Sequence, residues 1–260
     1  MNEVYLRPLT VGELLDKAFR IYRSKFAALV GIVAAVLIPE SILRLVVILY
    51  LGGLSPYVAL ILQLTIHLLA NVVLVVFISH VYLGKTISFG DSYLQGAKRY
   101  WSVFGANFIV GLAIFVPLLI LAFVPCIGLI GGVVLAVFLS TKWSLAMPAI
   151  IVENVGASDG LRRSWNLTET FFWRVLGTSF AASLLTSLIT LLPTYFAAYL
   201  FSLTDLSYDT IQVINLLIEQ IALLIALPFS QAVIVLIYYD LRVRKEGFDL
   251  QALAEANAND

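Results

Sequence analysis

Four charged residues interrupt the long apolar stretches of this sequence. Glu40 and Arg44 lie in the first stretch, Lys142 in a later one and Glu219 in the last. A charge at the centre of a bilayer costs about 2.5–3.5 kcal/mol on insertion scales, so it needs a partner or a function. Glu40 precedes Arg44 by one helical turn, which favours a self-neutralising pair.

Lys142 and Glu219 have no oppositely charged residue one helical turn away. One hypothesis is that these two residues pair with each other across helices or line a polar cavity. The alternative is that each side chain snorkels to a nearby interface. The four charged residues Glu40, Arg44, Lys142 and Glu219 form the candidate intramembrane polar site.

The two histidines do not have the spacing of metal ligands. His67 and His80 lie more than three helical turns apart, whereas ligands on one helix face follow each other at one turn. Cys126 is the single cysteine, so an internal disulfide and a cysteine metal site are both excluded. The sequence therefore predicts no metal site, no cofactor and no catalytic residue.

The composition of the chain indicates which class of fold holds these charged residues. The chain has 260 residues, of which 61% are hydrophobic and 12% charged, with a mean hydropathy of +0.99. Soluble domains have about 45–50% apolar and about 25% charged residues. Sixteen basic residues balance sixteen acidic ones, so no basic field for nucleic acid exists. An all-α, polytopic membrane helix bundle is predicted.

Long stretches without charge predict six transmembrane helices in three hairpins. A span needs about 20 apolar residues, and turns rich in Gly, Pro or polar residues divide the long stretches at 52–56, 124–128 and 204–210. A re-entrant pair is the alternative at 124–128. The predicted spans cover residues 26–50, 57–83, 103–124, 126–151, 174–200 and 211–239.

The basic residues predict the orientation. Lys and Arg occur in the N-terminal segment, in the connections 84–102 and 152–174 and in the tail, but not in the three opposite loops. Because positive residues mark the cytoplasmic side, both termini are expected there.

The chain resembles three copies of one unit, at about 9–84, 87–153 and 155–242. Residues 10–13 align with 88–91 and with 156–159, and without gaps Ala18, Gly96 and Ser164 then coincide. Chance similarity among membrane helices is the alternative. One integral membrane domain over 1–250 is predicted, followed by a polar, disordered tail at 251–260.

An amphipathic segment precedes each hairpin. Thr10 and Glu13 have the spacing of a capping box. An apolar stripe beside a cationic face is typical of a helix in the membrane interface, where basic residues meet anionic lipid. A simple belt around the bundle is the alternative. The candidate lipid-headgroup contacts are Arg20, Arg23, Lys98, Arg99, Arg162 and Arg163.

Three segments, 7–19, 157–165 and 238–250, are similar to a known family. They read RPLTVGELLDKAF, ASDGLRRSW and YYDLRVRKEGFDL. On these segments the chain resembles the membrane-domain family of glycerophosphoryl diester phosphodiesterase. In some members this region precedes a soluble phosphodiesterase barrel, while others stand alone. The barrel needs a His-Arg-Gly motif, which follows neither His67 nor His80.

The resemblance therefore implies a stand-alone, multi-pass member without phosphodiesterase activity, in the plasma membrane of a bacterium or archaeon. The leading functional hypothesis is a non-enzymatic membrane scaffold or lipid-associated domain. The alternative is a transporter or channel for small molecules or lipids that uses Glu40, Arg44, Lys142 and Glu219. Membrane lipids are the expected partners. The sequence also allows a partner protein or a second copy of the chain.

Overall fold

The computed structural model describes residues 7–51, 54–123 and 127–247, and this part of the chain is helical without a strand. The helices are α1 (Val11–Ser24), α2 (Phe26–Leu51), α3 (Ser55–Tyr82), α4 (Phe89–Leu121), α5 (Ile127–Trp143), α6 (Ala146–Val152), α7 (Ala157–Glu169), α8 (Phe172–Phe201) and α9 (Tyr208–Glu246). The predicted all-α class is confirmed. Outside the described residues lie Cys126, residues 52–53 of the predicted turn at 52–56, residues 124–126 of the predicted turn at 124–128, and the predicted tail at 251–260.

Six segments are long and apolar enough to cross a membrane, as predicted. They cover Phe26–Leu51, Ser55–Tyr82, Phe89–Leu121, Ile130–Val152, Phe172–Phe201 and Tyr208–Glu246. Large apolar side chains such as Phe115, Tyr195 and Leu192 are exposed on the outside of the bundle. Lipid would cover these side chains in a membrane, because soluble proteins rarely leave large continuous apolar surfaces in water.

The last long helix lies at the centre of the bundle. The second half of α9, from Ala226 to Val243, is almost entirely buried, and so is α3 from Ala70 to Ile78. The α2, α3 and α8 helices pack against α9, and α1 contacts its far end. Because α9 contacts helices from every part of the chain, it positions the polar residues that the other helices carry.

The predicted fourth span contains a break before Pro148. α5 ends at Trp143 and α6 begins at Ala146. Pro148 has no N–H group to donate to the carbonyl of Ser144, which weakens the helix here. The Ser164 hydroxyl of α7 donates to the Lys142 carbonyl at 2.7 Å and accepts from the Leu145 N–H at 3.1 Å. A side chain from another helix thus replaces the lost main-chain bonds.

The three segments predicted as surface helices differ from one another. α1 and α7 end before the next helix begins, at Lys25 and at Thr170 to Phe171. The second segment instead continues into the following span as the single helix α4. The residue equivalent to Lys25 is Val103, which is buried and has no helix-breaking neighbour. The prediction of a separate second surface helix is therefore wrong. The prediction that α1 and α7 lie in the membrane interface is not tested by the structure.

The three aligned segments nevertheless start their helices at matching positions. Thr10, Ser88 and Gly156 are the N-cap residues of α1, α4 and α7. The matched positions Ala18, Gly96 and Ser164 are all buried. A Cβ atom at Gly96 would lie 3.0 Å from Val73 Cγ2, so the small residue allows α3 and α4 to pack closely. The threefold repeat itself stays a prediction.

Candidate intramembrane site and charged end

Polar side chains from three helices meet inside the candidate spans. This intramembrane cluster consists of Glu40 and Arg44 from α2, Gln63 and His67 from α3, and Glu219 and Gln220 from α9. Glu40 lies about three turns, or roughly 16 Å, before the end of α2. The cluster therefore lies well within the apolar part of the bundle.

Arg44 connects two carboxylates. Its Nη2 atom lies 3.1 Å from Glu219 Oε2, and its Nε atom lies 3.6 Å from Glu40 Oε1. Gln63 donates from Nε2 to the other oxygen of Glu219 at 2.9 Å. The structure therefore brings together three of the four predicted site residues, and ties α2, α3 and α9 to one another.

Glu40 has the most enclosed carboxylate of the cluster. The residue is only 1% exposed, and Gln220 donates to its Oε2 atom at 2.8 Å. The His67 Nε2 atom lies 3.6 Å from the same oxygen. Sequence reasoning did not select His67 as a site residue. The sequence signal for it was its position one helical turn from both Gln63 and Asn71, which places three polar side chains on one face of a mainly apolar helix.

Several buried atoms of the cluster have no hydrogen-bond partner. They are Glu40 Oε1, Arg44 Nε and Nη1, His67 Nε2 and Gln220 Oε1. Buried polar atoms in proteins are nearly always satisfied, since an unmade hydrogen bond costs about 1–3 kcal/mol. This concentration of unmatched donors and acceptors marks the cluster as a place where water or a proton can bind.

Lys142 does not belong to this cluster, and its predicted pairing with Glu219 is wrong. The two residues, both within the described chain, form no ion pair. The Lys142 Nζ atom lies 5.0 Å from the ring centroid of Trp165, and 5.8 Å from those of Phe138 and Phe172. Lys142 lies in the last turn of α5 beside α7, whereas Glu219 lies in the early part of α9. The aromatic rings stabilise the buried ammonium by cation–π attraction.

A second group of charges lies where the N-terminal segment meets α8 and α9. Asp240, only 1% exposed, accepts from the Leu9 N–H at 2.7 Å, from Arg174 Nε at 3.0 Å and from Arg244 Nε at 2.9 Å. Both guanidinium groups also donate to the Leu9 carbonyl. One buried carboxylate and two cations therefore hold the backbone of Leu9.

A neighbouring network engages Arg163, one of the predicted lipid contacts. Arg163 lies 2.7 Å from Glu153 Oε1 and donates to Glu246 at 2.7 Å. Burial disfavours the charged guanidinium, but the hydrogen bonds to Glu246 and Glu153 outweigh this effect and raise the pKa of Arg163. Tyr238 also donates to Glu153, at 2.6 Å. Two carboxylates of the protein thus already hold this guanidinium.

The other predicted lipid contacts are more accessible. Arg20, Arg23, Lys98 and Arg162 are exposed, and Arg99 is half-buried. Two of them line an open groove of 720 Å³ along α1, which we call the basic groove. Its cations are Arg7, Lys17, Arg20 and Arg23, and its floor contains Leu9 and Ile21.

One carboxylate of the basic groove is already engaged. Glu13 forms an ion pair with Arg7 at 2.5 Å and completes the predicted capping box with Thr10. The Thr10 N–H and the Arg7 guanidinium lower the pKa of Glu13 to about 2. Burial, and then repulsion from Arg20 and Arg7, lower the pKa of Lys17. The groove is therefore positively charged and short of anions.

Comparison with known families assigns the chain. The family model described as the membrane domain of glycerophosphoryl diester phosphodiesterase matches residues 107–257, which is more than half of the chain. The chain belongs to this membrane-domain family. No curated protein and no solved structure matches the chain.

The match confirms the family resemblance and concerns the membrane domain of the phosphodiesterase, not its catalytic domain. The matched stretch of this chain begins within α4 and continues through α9. The intramembrane cluster therefore combines Glu219 and Gln220, which lie inside the matched stretch, with α2 and α3 residues that precede it. The basic groove of α1 also precedes the match.

Proposed function

We propose that this multi-pass membrane protein is a non-enzymatic, lipid-associated domain, and that its basic groove holds the phosphate headgroups of anionic phospholipids. The observation that carries the proposal is the excess of cations in the groove. Four basic side chains line it together with one carboxylate, which Arg7 already neutralises.

The position of the groove favours lipid as the anion. Lys25 alone separates α1 from α2, so the groove lies where the first candidate span begins. Phe19 is 54% exposed and Phe26 is 44% exposed beside it. Exposed aromatic rings next to cations are typical of helices that lie at a membrane surface, where anionic lipids attract basic side chains.

The electrostatics of the groove favour an anion in the same way. Burial, and then repulsion from Arg20 and Arg7, lower the pKa of Lys17, and a bound phosphate would relieve the repulsion. The cavity beside α7 differs, because Glu153 and Asp159 line it together with Arg162 and Arg163. Among the described surface segments, α1 therefore offers the strongest anion site.

The test is binding of phosphatidylglycerol to the purified protein, measured by native mass spectrometry. The double variant Arg20→Gln/Arg23→Gln removes two groove cations. Each cation near a membrane surface contributes about 1 kcal/mol, so we expect affinity to fall roughly 30-fold. Phosphatidylcholine, which has no net charge, should bind weakly to both proteins.

The matched control is Lys98→Gln/Arg162→Gln, which removes the same charge from exposed positions outside the groove. We expect this variant to retain most of the affinity for phosphatidylglycerol. An equal loss in both double variants would show that net charge, not the groove, binds the lipid.

Transport is the second candidate function, and the intramembrane cluster favours it. Ionisable residues inside spans often mark substrate or ion pathways. The test is movement of fluorescent phospholipid across liposomes that contain the protein, compared with Glu219→Gln and with Lys142→Gln as a control outside the cluster. We expect Glu219→Gln alone to slow the movement. Equal rates in protein-free liposomes and in liposomes with the unaltered protein would contradict lipid transport.

A further inference from the structure

We propose that the intramembrane cluster is a proton-binding site, in which Glu40 and His67 share one proton taken from bulk water. The inference does not depend on lipid binding or on transport. It begins with the charge of the cluster. Glu40 and Glu219 contribute two negative charges and Arg44 contributes one positive charge, which leaves one negative charge if His67 is neutral.

A net charge in an apolar interior is costly, because the interior solvates it far less well than water does. One bound proton makes the cluster neutral. The proton moves from water to the imidazole of His67, and the resulting imidazolium pairs with the Glu40 carboxylate, so no other reactant is needed. Buried ions in proteins are typically paired in this way.

The geometry places the proton at Glu40 rather than at Glu219. Glu219 lies 3.1 Å from Arg44, accepts from Gln63, and its side chain is 32% exposed to the surroundings. Glu40 is fully enclosed and approaches Arg44 only at 3.6 Å. The His67 Nε2 atom is buried without a hydrogen-bond partner and lies 3.6 Å from the Oε2 atom of Glu40. A proton shared between Nε2 and this carboxylate oxygen would give the buried nitrogen a partner.

Among the described residues, Arg44 is the only lysine or arginine that forms an ion pair with Glu40 or Glu219. α2 contributes Glu40 and Arg44, and α9 contributes Glu219. α4 contributes Tyr100, whose hydroxyl donates to the Thr65 carbonyl at 2.9 Å. The preceding residues of α4, Lys98 and Arg99, both in the described part of the chain, form no ion pair with Glu40 or Glu219. α6 contains no titratable side chain.

α1 meets α3 at the far end of the helix, away from His67. There the Lys17 Nζ atom lies 4.5 Å from the ring centroid of Tyr82. Lys17 therefore does not neutralise Glu40.

The test uses the two histidines of the chain as reporters. Protein labelled with ¹⁵N-histidine is reconstituted in lipid, and the imidazole signals are recorded by NMR at neutral pH. His67→Gln and His80→Gln each remove one signal and assign the spectrum. We expect a protonated imidazolium at His67, unchanged in His80→Gln, which alters the histidine outside the cluster.

Two further variants locate the proton. In Glu40→Gln the cluster is already neutral, so we expect His67 to become uncharged. In His67→Gln we expect the proton on Glu40, where a carboxylic acid band should appear in the infrared spectrum. A neutral His67 together with an ionised Glu40 in the unaltered protein would overturn the proposal. Because neither readout involves lipid binding or flux, this result is distinct from a failure of the proposed function.

Discussion

At the scale of single residues, Arg44 is the cation on which the intramembrane cluster depends. Arg44→Met would leave the carboxylates of Glu40 and Glu219 without a guanidinium in an apolar environment. Removing one partner of a buried ion pair costs about 3–5 kcal/mol. We expect the free energy of unfolding, measured by denaturation in mixed micelles, to fall by that amount.

Lys142→Met is the matched control, because it also removes a buried cation. Lys142 contacts aromatic rings, so its loss forfeits about 2 kcal/mol of cation–π attraction and leaves no carboxylate unpaired. If the two variants lost equal stability, Arg44 would have no special role in the cluster.

Glu13 is expected to make the stability of α1 depend on pH. The pKa of Glu13 is lowered from 4.5 to about 2 in the folded protein by the Thr10 N–H and the Arg7 guanidinium. A lowered pKa stabilises the folded state above about pH 4.5, and this contribution disappears as the pH falls towards about 2. The protection factors of the amides in the first turn of α1, which correct for the intrinsic pH dependence of hydrogen exchange, should therefore fall over this range.

Glu13→Gln provides the control for this effect. The variant should exchange faster than the unaltered protein at neutral pH, and the difference should vanish near pH 2. A difference that stays constant across the range would contradict the role of the ionised carboxylate.

Sequence spacing predicted only the local part of the polar site. Glu40 and Arg44 are one turn apart, so their pairing was visible in the sequence. Glu219 lies 175 positions from Arg44, and its partner depends on how the three helices pack. The Lys142 environment combines the local Phe138 with Trp165 and Phe172 from two other helices, which spacing could not reveal.

At the scale of helices, Gly160 sets how closely α6 and α7 approach. A Cβ atom at Gly160 would lie 2.2 Å from Ile150 Cγ1 and 3.4 Å from the Ala146 carbonyl oxygen. Gly160→Ala should therefore separate the helices and destabilise the protein by about 1–3 kcal/mol, a typical cost of overpacking. Thermal unfolding in detergent measures this loss.

Gly177→Ala is the matched control within α8, because a Cβ atom there would meet nothing within 4 Å. Alanine is favoured over glycine inside a helix by about 0.5–1 kcal/mol, so this variant should be slightly more stable. Ile150→Ala should partly rescue Gly160→Ala by removing the clashing Cγ1 atom. An absence of rescue would contradict the steric explanation.

The sequence predicted the long helices better than their interruptions. Apolar runs predicted all six spans because membrane helices need a minimum apolar length. The break at Ser144 and Leu145 depends on Ser164 from α7, which local sequence does not show. The second surface segment continues through Val103 into α4 without a break. An amphipathic pattern predicts that a segment is helical, but it does not show where the helix ends.

At the scale of the whole molecule, the two ends of the bundle differ in charge. One end joins the N-terminal segment, α7, the start of α8 and the end of α9 through the contacts of Asp240 and Arg163. At the other end Leu49 of α2 lines one cavity with Asp209 and Val213 of α9, and the loop before α9 carries Asp205. Among the described residues, positive charges therefore concentrate at the end of the bundle that contains α1 and α7.

This asymmetry leads to a prediction about orientation in the membrane. Because basic residues are retained on the cytoplasmic side, the α1 and α7 end should face the cytoplasm and the loop at Asp205 should face outward. In a Cys126→Ser background, Asp205→Cys should react with a membrane-impermeant maleimide in intact cells. Arg23→Cys should react only after the membrane is opened. The reverse pattern would show that the basic end lies outside the cell. The basic groove could then not bind anionic lipids of the cytoplasmic leaflet.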